Sequence, residues 1–152
     1  GCPEHPYPVV RGAWRRADRA RSMQVSDVDR TAHRQALEAY VDVSEEMFRH
    51  VDARTAELVG LDDFGIWGAG QFTMKWLRRA AFPTGQLTVV VDSAASRGGL
   101  RLLDHDVTAP AAVPEGEWPP VMLTGSAYAA AAITDAAARM GVTSRVASPF
   151  ES

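Results

Sequence analysis

The chain has 152 residues, 46% of them apolar, and a formal net charge of −3, which suits one domain with a real core and leaves little length for a second domain to enclose a substrate. The mild charge excludes a strongly basic nucleic-acid surface, and without an apolar run of about 18 residues or a visible signal peptide the expected protein is soluble and cytoplasmic, with no membrane or nucleic-acid partner. A single cysteine, Cys2, excludes an internal disulfide framework, and Gly1 in place of methionine suggests a trimmed tag or a domain cut from a longer chain.

Residues 1–25 read as an extended arm, because the prolines of "GCPEHPYPVVRG" rule out a regular helix. Cys2 and His5 have half of a metal-site spacing. The other histidines, His33, His50 and His105, are scattered singly, so no closed metal site is expected. The basic stretch "RRADRARSM" reads as a solvated helix face rather than an anion site. Residues 26–60 form a helical segment that starts at Ser26, with Asp27 and Asp29 at the positive end of the dipole. Leu37, Tyr40, Val41, Met47, Phe48, Val51, Leu58 and Val59 recur at three- and four-residue spacing and predict one continuous apolar stripe. Ser44 with Glu45 and Glu46 leaves open one long helix or two. Gly60 reads as the stop, with the apolar Leu61 packed behind it. This segment suits packing or partner binding, including a homo-oligomer through the helices.

From residue 61 to 152 the period changes. Phe64 to Trp67 reads as a buried strand, a Gly-x-Gly turn follows, and Gln71 to Ala81 predict a helix that buries Phe72, Trp76, Leu77 and Ala80. The run "LTVVV" is β-branched, as in a buried parallel strand, and closes on Asp92. A second apolar strand, "VMLT", leads through Gly125 into a helix with Ser126 as N-cap and Gly141 as stop, and "SRVAS" predicts a last strand. Alternating strand and helix predict an α/β fold with an open, Rossmann-like parallel sheet and flanking helices.

In such a sheet the turn after the first strand is the usual phosphate or cofactor site. Gly68 permits a tight turn, Gly70 permits close approach to the backbone, and amides at the start of the next helix favour an anion. Asp92 follows about 20 residues on, where a carboxylate can accept hydrogen bonds from a ribose. The third glycine of a dinucleotide fingerprint is replaced by Thr73, whose branched side chain is expected to push the helix from the sheet. A ligand site and a bare chain reversal both remain open. Arg97 reads as a phosphate contact or a solvated loop arginine, and Tyr128 as a base-stacking ring or a cover for the sheet. No nucleophile with a base and no convergent carboxylates are visible, since Asp104, His105 and Asp106 would alternate faces in a strand.

The segments "GIWGAGQFTMK", "VVVDSAASRGGLRLLDHDVTAP" and "VMLTGSAYAAAAI" resemble the C-terminal Rossmann-like domain of nucleotide-sugar C-methyltransferases and related S-adenosylmethionine-dependent methyltransferases. Trp67, Gly68 and Ala69 match that family's turn, Asp92 its acid, Arg97 and Gly99 its basic-glycine pair, and Val107 and Pro110 its closing segment. The similarity covers about residues 62 to 148, and the preceding helices resemble the family's linker helices. One departure stands out: the sugar enzymes often carry a Lys-Gly pair soon after the turn, where this chain has Phe72 and Thr73, and Lys75 lies a helical turn beyond.

The resemblance implies an accessory or substrate-binding domain that holds a nucleotide or nucleotide-sugar, in natural-product or sugar modification. S-adenosylmethionine would then bind a separate catalytic domain, in this chain or another. The expected ligand edge comprises Gly68, Ala69, Gly70, Gln71, Phe72, Asp92, Ser93 and Arg97, with Ser126 and Tyr128. An NAD(P)-binding oxidoreductase fragment and a non-catalytic interaction domain are the alternatives.

Overall fold

The computed structural model describes residues 27 to 151. The arm, the basic segment, Cys2, His5 and the Ser26 helix start lie outside the described residues. Helix α1 runs unbroken over Asp27–Val59, so Ser44 does not start a second helix. A compact unit begins at Glu38 within it; of the separate unit before that point, the described side chains from Arg30 to Leu37 are exposed. The expected apolar stripe is therefore only half buried. Phe48, Val51 and Val59 are in the core, whereas Leu37, Tyr40 and Val41 are 65%, 40% and 54% exposed.

The stripe is buried from the turn at which α1 meets the next helix. Strand β1 (Phe64–Trp67) passes through the Gly-x-Gly turn into α2 (Gln71–Trp76), whose six residues fall short of the predicted end at Ala81. Trp76 and Leu77 are buried as expected, but Ala80 is exposed because the chain has left the helix by then. Arg79, just beyond α2, donates from Nε to Asp52 (2.8 Å) and from Nη1 to Glu45 (3.1 Å), and its guanidinium lies 4.8 Å from the centre of the Phe48 ring. The hydrogen bond to Asp52 is the main cause that raises the Arg79 pKa above its ordinary value. At its other end α1 closes at Gly60 as expected, with φ +60° and its N–H donating to Ala56 O at 3.0 Å, while Arg145 donates to the Leu58 carbonyl and Gln86 Nε2 to that of Gly60 at 3.2 Å. Leu61, the apolar residue expected behind Gly60, is 99% exposed and makes no apolar closure of the helix.

Strand β2 (Leu87–Val91) pairs parallel to β1. Strands β3 (Arg101–Leu102) and β4 (His105–Thr108) form a hairpin with no counterpart in the expected elements; Asp104 lies in its turn, and His105 and Asp106 follow in β4. Strand β5 (Val121–Thr124) leads to α3 (Ala130–Arg139), and β6 (Arg145–Ala147) ends the sheet. Helix α3 closes at Gly141, whose N–H donates to Ala138 O at 3.1 Å. Strict alternation of strand and helix fails between β2 and β5. The glycines of "SRGG" and the prolines of "APAAVPEGEWPP" permit only short 3-10 turns there.

The strand order is β3-β4-β2-β1-β5-β6, with every pair parallel except the β3–β4 hairpin. Without the hairpin strand this is the doubly wound order, and the fold is a Rossmann-like α/β sheet. Phe64, Ile66, Val90 and Leu123 face the side covered by α1 and α2, while Trp67, Val91 and Met122 face α3. Burial on both faces explains why β1 and β5 read as unbroken apolar runs. No helix among the described residues is long and apolar enough to cross a membrane.

Candidate ligand-binding site

Strand β1 is where the order reverses, with β2 on one side and β5 on the other. Turns leaving two such neighbouring strands diverge and open a crevice at the carboxyl edge. Gly68 has φ +117°, a region that L side chains rarely adopt, and its N–H donates to Val91 O at 2.7 Å. Across the crevice, Gly125 N–H donates to Trp67 O at 2.7 Å. The approach is so close that a Cβ on Gly125 would stand 2.2 Å from Gly68 O and 2.6 Å from Thr73 Oγ1.

Thr73 is fully buried between the two turns. Its hydroxyl donates to Gly68 O at 2.5 Å and lies 3.3 Å from Gly125 O. It therefore ties α2 to the sheet, in contrast to the expectation that it would hold the helix away; the carbonyls of the turns satisfy the group that made it look out of place. Thr73→Val keeps the shape and removes the donor, so the expected loss is about 1–2 kcal/mol of stability in urea unfolding, with an unchanged m-value.

The groups expected to hold a ligand also hold one another. Asp92 accepts from the Ala69 N–H through Oδ2 and from the Ala94 N–H through Oδ1, each at 2.7 Å. Arg97 donates through Nη1 to the Ala69 carbonyl. The Trp67 indole donates to Ser93 Oγ at 3.1 Å and stacks on Trp118, ring centres 5.8 Å apart. Each Asp92 oxygen has a further lone pair, so the carboxylate can serve both the turn and a ligand hydroxyl.

Beside this staple lies a cleft of about 330 Å³. Gly68, Gly70, Asp92, Ser93, Gly125 and Ser126 form its polar rim, and Trp67 and the α3 residues Ala132, Ile133 and Ala136 its apolar wall. Five of the expected site residues thus converge: Gly68, Gly70, Asp92, Ser93 and Ser126. The others lie elsewhere. Ala69 is buried in the turn, Arg97 donates to its carbonyl from outside the lining, Gln71 is exposed outside the lining, and Tyr128 is 70% exposed. Phe72 packs into the core between Phe48 (5.1 Å) and Phe150 (4.9 Å). Ser126 is not the N-cap of α3, which begins after Ala129 with no side-chain cap; its carbonyl instead accepts from the Ala129 N–H at 3.3 Å.

The expected residues did not include Gly125, Trp118 or the alanine face of α3. Only the glycine directly after an apolar strand carried a signal in sequence, that of a close backbone approach. Among the described residues no histidine, lysine or cysteine lines the cleft. Among the described residues no group of three His, Cys, Asp or Glu side chains is placed to hold a metal. The arrangement suits recognition by hydroxyls, backbone groups and an apolar wall.

No protein-family model matches this chain, and no curated protein matches it. Its class is therefore defined by the fold: a Rossmann-like α/β domain with a cleft at the strand-order reversal.

Proposed function

We propose that this domain binds the nucleotide part of a nucleotide-linked substrate, and that it serves as a substrate-binding or accessory domain of an S-adenosylmethionine-dependent methyltransferase acting on a sugar or natural product. The observation that carries this reading is the cleft between Gly68, Asp92 and Gly125 at the carboxyl edge. In open α/β sheets that place takes ligands, its volume falls in the range of small-molecule sites, and Asp92 has lone pairs left for ribose hydroxyls. The α3 residues Ala132, Ile133 and Ala136 offer an apolar wall against which a base can lie. The methyl donor belongs to a separate catalytic domain in this reading.

Calorimetric titration with uridine and thymidine diphosphate sugars, S-adenosylmethionine and nicotinamide dinucleotides tests it. Saturable binding of a nucleotide sugar is expected, with a matching rise in melting temperature by mass action. Ala132→Trp, at an exposed cleft position, should weaken that binding at least about tenfold, the effect of losing about 1.4 kcal/mol, and leave the unliganded melting temperature unchanged. Binding of a nicotinamide dinucleotide alone would move the assignment to an oxidoreductase fragment, and no binding at all would leave the turn as architecture.

A further inference from the structure

A second cavity, of about 520 Å³, lies on the other side of α3. Ala132, Ile133 and Ala136 of that helix line the first cleft, while Ala131, Thr134 and Asp135 line the second. Thr124, the last residue of β5, also lines it. That residue is 1% exposed, and its hydroxyl has no hydrogen-bond partner among the described residues. Buried hydroxyls are nearly always paired, so an unpaired one on a cavity wall marks the place of a missing partner. Arg54 repeats the signal: its Nε is buried and unpartnered, although its Nη1 donates to Glu57.

The charges narrow the ligand class. Glu57 offsets the Arg54 charge, whereas the carboxylates of Asp135 and Glu151 line the cavity and pair with no basic side chain among the described residues. Arg145, whose guanidinium donates to the carbonyl of the wall residue Leu58, is a second cation here, so the three carboxylates of Glu57, Asp135 and Glu151 outnumber two guanidinium groups and the field favours a cation over an anion. Thr124 and the Arg54 Nε–H offer hydrogen bonds to ligand oxygens, and Leu58 and Val146 supply an aliphatic surface for a ring. We propose that this cavity binds a small polyhydroxylated amine of the amino-sugar class, with its ammonium group at Asp135 and Glu151 and an oxygen at Thr124 and Arg54. The assignment stands independently of what occupies the first cleft.

Titration of the full chain with D-glucosamine, D-glucose and gluconate, followed by amide proton–nitrogen spectra, tests it. Glucosamine should give saturable shifts at Thr124, Ala131 and Asp135, glucose should bind about fivefold more weakly, and gluconate should not bind. Thr124→Val should weaken glucosamine about fivefold without lowering the melting temperature, because a methyl group replaces a hydroxyl that has no internal partner. Asp135→Asn, at an exposed position, should weaken it to a similar degree and leave the fold intact. Equal binding of glucosamine and gluconate, no saturable shift, or wild-type affinity in Thr124→Val would each overturn the assignment. A lower melting temperature in Thr124→Val would also overturn it, by showing that the hydroxyl is satisfied within the protein.

Discussion

Gly125→Ala is expected to destabilise the domain by about 3 kcal/mol, at the upper end of the cost of overpacking a well-filled site. The new Cβ would stand 2.2 Å from a backbone oxygen, Gly68 O, and that atom cannot swing aside as a side chain would. The turn after β1 would have to move away from β5. Gly68 is itself bonded to Val91, and Trp67 O to the Gly125 N–H, so the movement strains both neighbours of β1. A melting curve should show a fall of about 10 °C for a unit of this size. The same displacement widens the crevice floor, so any nucleotide affinity should fall along with stability. A melting temperature within about 2 °C of the parent would show that the two turns are not packed as described.

Trp76→Ala should cost more, about 4 kcal/mol, in the range for emptying a large aromatic site. Trp76 is fully buried, and its ring meets Phe82 edge-on at 5.2 Å and Phe72 at 5.9 Å. Those rings continue to Phe64 (5.7 Å from Phe82) and to Phe48 and Phe150 beside Phe72. The cluster joins β1, α2, α1 and the C-terminal segment, and removing its centre leaves a cavity that several elements must collapse to fill. Such a loss is a large share of the roughly 5–15 kcal/mol stability of an ordinary domain, so the variant should melt about 15 °C below the parent. The Trp76 indole N–H has no hydrogen-bond partner among the described residues. Trp76→Phe therefore removes an unpaired buried donor together with part of the ring, and its loss should be well below that of the alanine variant when both are unfolded in urea.

The cleft and the aromatic cluster meet in α2. Thr73 on one side of this short helix bonds the turns at the cleft floor, while Phe72 and Trp76 anchor it in the core. Stability of the core and the geometry of the cleft are thus linked through six residues. Phe72 illustrates the consequence for reading the chain. It was expected both to be buried by its helix and to join the ligand edge, and its packing against Phe48 and Phe150 bears out the first.

Strands β1 and β5 were legible in local pattern because a strand buried on both faces leaves an unbroken apolar run, while β2 was legible from its β-branched residues, α3 from the glycine that stops it, and the half-exposed edge strand β6 from its place after that glycine. The nearness of Gly68 and Asp92 was legible for a related reason, since strand, turn, helix and strand bring two consecutive strand ends to one edge. The β3–β4 hairpin was not. Its turn places Leu103 at φ 54°, where no glycine or asparagine announces it. Nor did helical periodicity reveal that α1 is covered only in its second half, because a repeating pattern records which residues share a face and not how far the neighbouring sheet and helix extend. Arg97 and Asp92 turning to Ala69, and Thr73 bonding Gly68 while lying beside Gly125, depend on loops distant in sequence reaching within hydrogen-bond distance. Local composition carried the architecture, and the meeting of those loops in space decided which side chains line the cleft and which are used up in building it.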